Sequence, residues 1–121
     1  MKDLTLTVAV LMLFTHWVAD FVCQSHKMAV NKSTSNFWLG IHVLVYSAWL
    51  IPLSWYLFDG DTERVSIFVG ANMSLHWTVD FFTSRFNSSY WQQGKMHDFF
   101  VMVGLDQFIH YVCLFSLYAI L

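Results

Sequence analysis

The sequence predicts an all-α protein, an integral membrane four-helix bundle made of two hairpins with a partial internal repeat. Three observations lead there. Of 121 residues, 57% are hydrophobic and only 12% charged, against about 25% charged in an ordinary soluble domain. Four apolar stretches, residues 4–23, 37–58, 65–83 and 99–121, each approach the roughly 20 residues that a spanning helix needs. Finally, one motif occurs twice, as His16-Trp17-Val18-Ala19-Asp20-Phe21 and as His76-Trp77-Thr78-Val79-Asp80-Phe81. In each copy an imidazole and a carboxylate stand four residues apart, on one helical face. The connections are short, so residues 1–121 are expected to form a single transmembrane domain.

The first stretch follows Lys2, as a signal peptide would. No small-x-small cleavage site follows it, however, and His16 and Asp20 interrupt its apolar run. It is therefore read as a span, with Gln24 just beyond it. The first connection carries Lys27 and Lys32. The second stretch holds a lone His42 and leads to Asp59, Asp61 and Glu63 against Arg64 alone. In the third, Asn72 and Ser84 flank His76 and Asp80 at four-residue steps, and Arg85 and Lys95 follow. The fourth carries Asp106, Gln107 and His110. Basic residues favour the cytoplasmic side, which places the first and third connections inside and both termini in the periplasm. The two motif copies then sit on two hairpins related by an axis along the membrane normal. Gly40, Ala48, Gly70, Ala71 and Gly104 are expected where helices approach closely. Trp17, Trp38, Trp55, Trp77 and Trp91 lie near span ends, where indoles anchor at headgroup level. Cys23 and Cys113 are too few and too deep for a disulfide framework. No basic stripe invites a nucleic acid.

Depth ties the polar groups together. His16 and Asp20 come late in an inward-running span and His42 early in the returning one. His76 and Asp80 again come late, with Asp106 and His110 in the first half of the last span. At a rise of about 1.5 Å per residue, all seven fall in one slab near the cytoplasmic face. Every Lys and Arg lies outside the spans, whereas Asp20, Asp80 and Asp106 lie inside. Buried carboxylates need a counter-charge or a proton. Histidine is the only base the spans supply, so either Asp–His pairs form hydrogen-bonded networks or a bound cation completes the balance. His16, Asp20, His42, His76, Asp80, Asp106 and His110 are the candidate metal ligands. The expected cofactor is one or two divalent ions, with zinc first and manganese or iron compatible with the same donors. Gln24, Asn72 and Gln107 are expected to support them by hydrogen bonding. The competing reading treats these groups as interhelical glue, worth about 0.6 kcal/mol each.

The ordered set His16-x-x-x-Asp20-Phe21-x-x-Gln24, then Lys27 and Lys32, His42, His76-x-x-x-Asp80 and Asp106-Gln107-x-x-His110 resembles domain-of-unknown-function family 3307 along nearly the whole chain. Arg85 stands where the family pattern leads one to expect a lysine. The resemblance implies a small polytopic membrane protein of a bacterium or phage, set in the bacterial inner membrane. It brings no reaction with it.

Three functional classes remain. The first is a metal-dependent hydrolase acting on an amphiphilic or lipid-linked substrate at the cytoplasmic side. Asp20, Asp80 or Asp106 would take the proton there, and Lys27, Lys32, Arg85 and Lys95 would hold an anionic part of the substrate. The second is a conductor of metal ions or protons. Against it, the polar groups occupy one slab and do not continue outward. The third is a non-enzymatic membrane factor, bacterial or phage, with a structural metal site. The bilayer is the expected partner in all three, and assembly into an oligomer is compatible with each.

Overall fold

The computed structural model describes residues 1–121, which form helices joined by short connections, with an extended N-terminal segment and no strand. Helix α1 covers Leu6–Trp17 and passes directly into a π-helical turn, Val18–Val22. The short α2 (His26–Asn31) follows, then α3 (Asn36–Leu57), α4 (Thr62–Gln92) and α5 (Met96–Ile120). The first four helices each begin at a residue whose side-chain oxygen accepts an otherwise orphaned backbone N–H. Thr5 accepts from Val8, Ser25 from Met28, Ser35 from Trp38, and Asp61 from both Glu63 and Arg64. α4 ends in a Schellman closure: Gly94 N–H bonds the Trp91 carbonyl and Lys95 N–H that of Tyr90. Gly94 holds φ +69° there. α3 ends in the same way, with Asp59 in the left-handed position at φ 53°.

Buried positions recur at four-residue steps along each long helix. They run Val8, Met12, His16 and Asp20 in the first, and His42, Tyr46, Leu50 and Ser54 in α3. In α4 they are Phe68, Asn72, His76, Asp80 and Ser84, and in α5 His110, Leu114 and Tyr118. A four-residue step keeps one face turned inward. All four stripes change character at the same level. Toward the α3–α4 turn they are apolar, and Met12, Leu50, Leu57, Phe58, Phe68, Leu114 and Tyr118 form a continuous core. Toward the other end they are imidazole and carboxylate. The N-terminal segment is clasped to the apolar end. Lys2 and the N-terminal ammonium pair with Asp59, and the Tyr118 hydroxyl donates to the Lys2 carbonyl. The Lys2 hydrogen bond, with the N-terminus beside it, holds the Asp59 carboxyl down at about 2.

Several expectations shift. α3 and α5 are long and apolar enough to cross a membrane, whereas Leu6–Val22 is a shorter apolar helix and α4 does not meet that measure. The apolar stretch 65–83 is only the middle of α4, which runs on to Gln92. The first stretch is not one regular helix, because its last turn is π-helical. The glycines do not mark close crossings. A Cβ added at Gly40, Gly70 or Gly104 would meet nothing within 4 Å.

Candidate metal centre

All seven sequence-predicted ligands converge. His42 Nε2 lies 3.0 Å from Asp20 Oδ1, 3.2 Å from Asp80 Oδ2 and 3.1 Å from His76 Nε2. His76 Nε2 is 3.5 Å from each of the same two carboxylate oxygens. These four ligand atoms all lie within 4.8 Å of one another, and so do those of a second group, Asp20, Asp106 and His110. Asp20 belongs to both groups. Asp80 links them as well, since its other oxygen, Oδ1, is 3.0 Å from His110 Nε2. His110 also reaches Asp106 Oδ1 at 3.3 Å, and His16 reaches Asp20 Oδ2 at 3.5 Å.

The π-turn places Asp20 in the middle of a widened helical turn, a distortion that is frequent at functional sites. The remaining ligands ride on regular helix.

Gln107 stands at the hub of one side. Its Oε1 is 2.7 Å from His16 Nε2, while its Nε2 donates to Asp20 Oδ2 at 2.9 Å and to Asp106 Oδ2 at 3.1 Å. The other two proposed supports lie apart. Asn72 bonds the Phe68 carbonyl of its own helix, and the Gln24 Oε1 is buried with no partner.

Four further residues contribute, three of them unnamed in the sequence analysis and the fourth, Lys32, expected in another role. Tyr46 bonds His16 Nδ1 at 3.0 Å and stacks its ring on His76, centroid to centroid 3.9 Å. His76 in turn stacks on His110 at 4.2 Å. Tyr46 stands four residues after His42, a spacing that could have revealed it. Thr83 donates to Asp106 Oδ1 at 2.6 Å, and Tyr111 meets His16 edge-on. The fourth is Lys32. Its Nζ lies 2.9 Å from Asp80 Oδ2, where Asp80 is almost wholly buried. Burial pushes the Lys32 ammonium down, but the Asp80 and Asp20 charges outweigh it and hold its pKa above the ordinary value. The expectation that only histidine faces the buried carboxylates is therefore wrong. A loop residue folds back to supply the base. The expectation that Lys32 and Arg85 are free to grip an anion fails with it. Arg85 bonds the Phe81 carbonyl and Asn36 Oδ1 and lies over the Phe81 ring.

Beside the cluster lies a cavity of about 710 Å3. Its walls are the π-turn, the segment after α2, the last third of α4 and the start of α5. Asp20, Asp106 and Gln107 close its inner end.

The fold and the site together define an all-α protein whose four long helices carry a buried His/Asp centre with the donors and spacing to hold a metal ion. The chain belongs to the family described as protein of unknown function (DUF3307), whose model matches residues 8–121. No curated protein and no solved structure matches it.

Proposed function

We propose that the protein is a metal-dependent hydrolase embedded in the inner membrane, with its site at the cytoplasmic headgroup level and both termini outside. The observation that carries the metal is spacing. Tetrahedral ligands about 2.0–2.1 Å from an ion stand about 3.3–3.4 Å apart. Five ligand separations among Asp20, His42, His76 and Asp80 run from 3.0 to 3.5 Å. Charge points the same way. Three buried carboxylates against the one Lys32 ammonium leave two negative charges, which one divalent ion balances with every imidazole neutral. The Nδ1 atoms of His42 and His76 have no hydrogen-bond partner, so both rings present Nε2 as their engaged nitrogen.

Burial supports the membrane setting. On α4, Asn72, His76, Asp80, Thr83 and Ser84 point inward, whereas Ile67, Met73, Leu75, Phe82 and Phe86 are exposed together with Ser66, Ser74 and Thr78, whose hydroxyls bond carbonyls of their own helix. The low hydropathy of α4 thus comes from its inner face, from hydroxyls satisfied on its own backbone and from its polar ends. Leu6, Val10, Phe14, Leu44, Ile51, Phe100 and Phe108 are exposed on the other helices. A polar interior within an apolar exterior suits a bilayer.

A divalent ion held here would supply Lewis acidity toward a carbonyl or phosphoryl oxygen. The chain's own residues do the rest. Gln107 and Tyr46 fix the His16 ring, and Asp106 is the carboxylate placed to exchange a proton with a molecule in the cavity. Its side chain is 13% exposed, against 4% for Asp20 and 1% for Asp80.

The test is elemental analysis of detergent-purified protein. We expect about one divalent ion per chain, lost in Asp80→Ala, and a chelator should lower the melting temperature of the parent protein only. Asp106→Asn should keep metal and fold while abolishing hydrolysis of p-nitrophenyl octanoate or octyl p-nitrophenyl phosphate. Lys32 favours a second reading, an ion-paired core without metal. Protein that binds no metal on titration and ignores chelator would establish that reading and overturn ours.

A further inference from the structure

We infer that the cavity beside the cluster is a headgroup pocket for a neutral, hydroxyl-rich amphiphile such as a glycoside or polyol ester. This inference deepens the hydrolase reading by naming its substrate class. The first argument concerns unmet hydrogen bonds. Five buried side-chain atoms lack a partner, two of them the imidazole Nδ1 atoms already described. The other three are Gln24 Oε1, Ser84 Oγ and Asn87 Oδ1, and all three residues line this one cavity. Ser84 is only 7% exposed. Buried polar atoms are rarely left unpaired, so three gathered around one cavity point to a ligand that brings donors.

The second argument concerns charge. Away from Lys32 and the inner end the polar lining is uncharged, with Ser33, Thr34 and Ser88 beside the three unpartnered residues. In the metal-free protein the two carboxylates at its inner end repel an anion. Lys32, its one lining cation, is held by Asp80. A phosphate headgroup would find no free cation. Hydroxyls meet no such obstacle.

The third argument concerns shape. Phe21, Trp91 and Phe99 give the cavity apolar walls. Phe21 and Trp91 are 43% and 61% exposed. Aromatic faces pack on the C–H face of a sugar, and the exposed apolar rim accepts a chain. About 710 Å3 lies within the roughly 300–1,000 Å3 of small-molecule sites.

Three ligands with one chain and different headgroups test this: octyl β-D-glucoside, octyl phosphate and octylammonium. Each is titrated by calorimetry into chelator-treated protein in lipid nanodiscs, and partition into empty nanodiscs is subtracted. The glucoside should bind saturably and about tenfold more tightly than octyl phosphate. One lost hydrogen bond to a buried group corresponds to about a tenfold change, so Asn87→Leu should weaken the glucoside about that much. Ser84→Ala should weaken it in the same direction without adding bulk, and melting curves check that both variants fold. Methyl β-D-glucoside binding as tightly as the octyl compound would uphold the hydroxyl chemistry and assign it to a soluble sugar. Preference for octyl phosphate or octylammonium overturns the proposal, as does the absence of saturable glucoside binding. Because the protein is metal-free throughout, glucoside binding by a chain that takes up no metal would sink the hydrolase reading and leave the pocket standing.

Discussion

Lys32 carries the only ammonium within hydrogen-bonding distance of the buried carboxylates. Removing one partner of a buried ion pair costs about 3–5 kcal/mol, because the other charge is left uncompensated. Asp80 keeps His42, His76 and His110 as neighbours, so Lys32→Met should fall near the low end, about 3 kcal/mol. Adding zinc should recover more stability in this variant than in the parent, since the ion then supplies the missing charge. Thermal melting with and without chelator reads both effects. A chelator-treated Lys32→Met protein that melts with the parent would show that the contact contributes nothing. The sequence disclosed the seven ligands because each sits on a helix, where a four-residue interval puts two side chains on one face. Lys32 sits after a six-residue helix in a connection, and no periodicity reports where a loop residue returns. Gln107 was legible as one of the polar neighbours in its helix. Its position bridging His16, Asp20 and Asp106 was not, because that depends on how α5 meets α1.

At the scale of elements, the glycines divide by backbone conformation. Gly70 lies inside α4 with open space where a Cβ would stand, and Gly94 holds φ +69° with equally open space. Sterics are the same, so substitution reads the backbone alone. Gly70→Ala should stabilise by about 0.5–1 kcal/mol, since glycine is entropically costly in a helix. Gly94→Ala should destabilise by about 1–2 kcal/mol, since the left-handed conformation crowds Cβ against the next carbonyl. Equal melting shifts for the two variants would contradict this assignment. Helix starts fall at Thr, Ser or Asp caps, which the apolar stretches did not mark. The π-turn was hidden because Val18–Val22 carries no residue that distinguishes it from ordinary helix. The length of α4 was also hidden. Its last turns, Ser84 to Gln92, are polar and helical, and an apolar window ends before them even though the backbone continues. Those turns form a wall of the cavity, so the pocket was hidden for the same reason.

For the whole molecule, the strongest inference from sequence was that three His/Asp pairs and a lone His42, from four helices, share one level. It held because antiparallel helices rise by a fixed step, so position along a span converts directly to depth. Which side of a membrane that level faces depends on the connections. Lys27 and Lys95 are exposed at the cluster end, and the α3–α4 turn at the other end carries Asp59, Asp61 and Glu63. With Lys32 and Arg85 engaged within the protein, the charge bias rests on fewer free residues than the sequence counts, yet its sign is unchanged. Cysteine labelling in a chain lacking Cys23 and Cys113 tests the orientation. Glu63→Cys is the outer probe, because it is exposed and avoids the left-handed backbone of Asp59 and Gly60. Ser89→Cys is the inner probe, because it is exposed at the far end of α4, beyond the cluster. In intact cells a membrane-impermeant maleimide should label position 63 and reach position 89 only after lysis. The opposite pattern would move the His/Asp level to the outer leaflet, and any amphiphile reaching Asp106 would then have to enter from the periplasmic side.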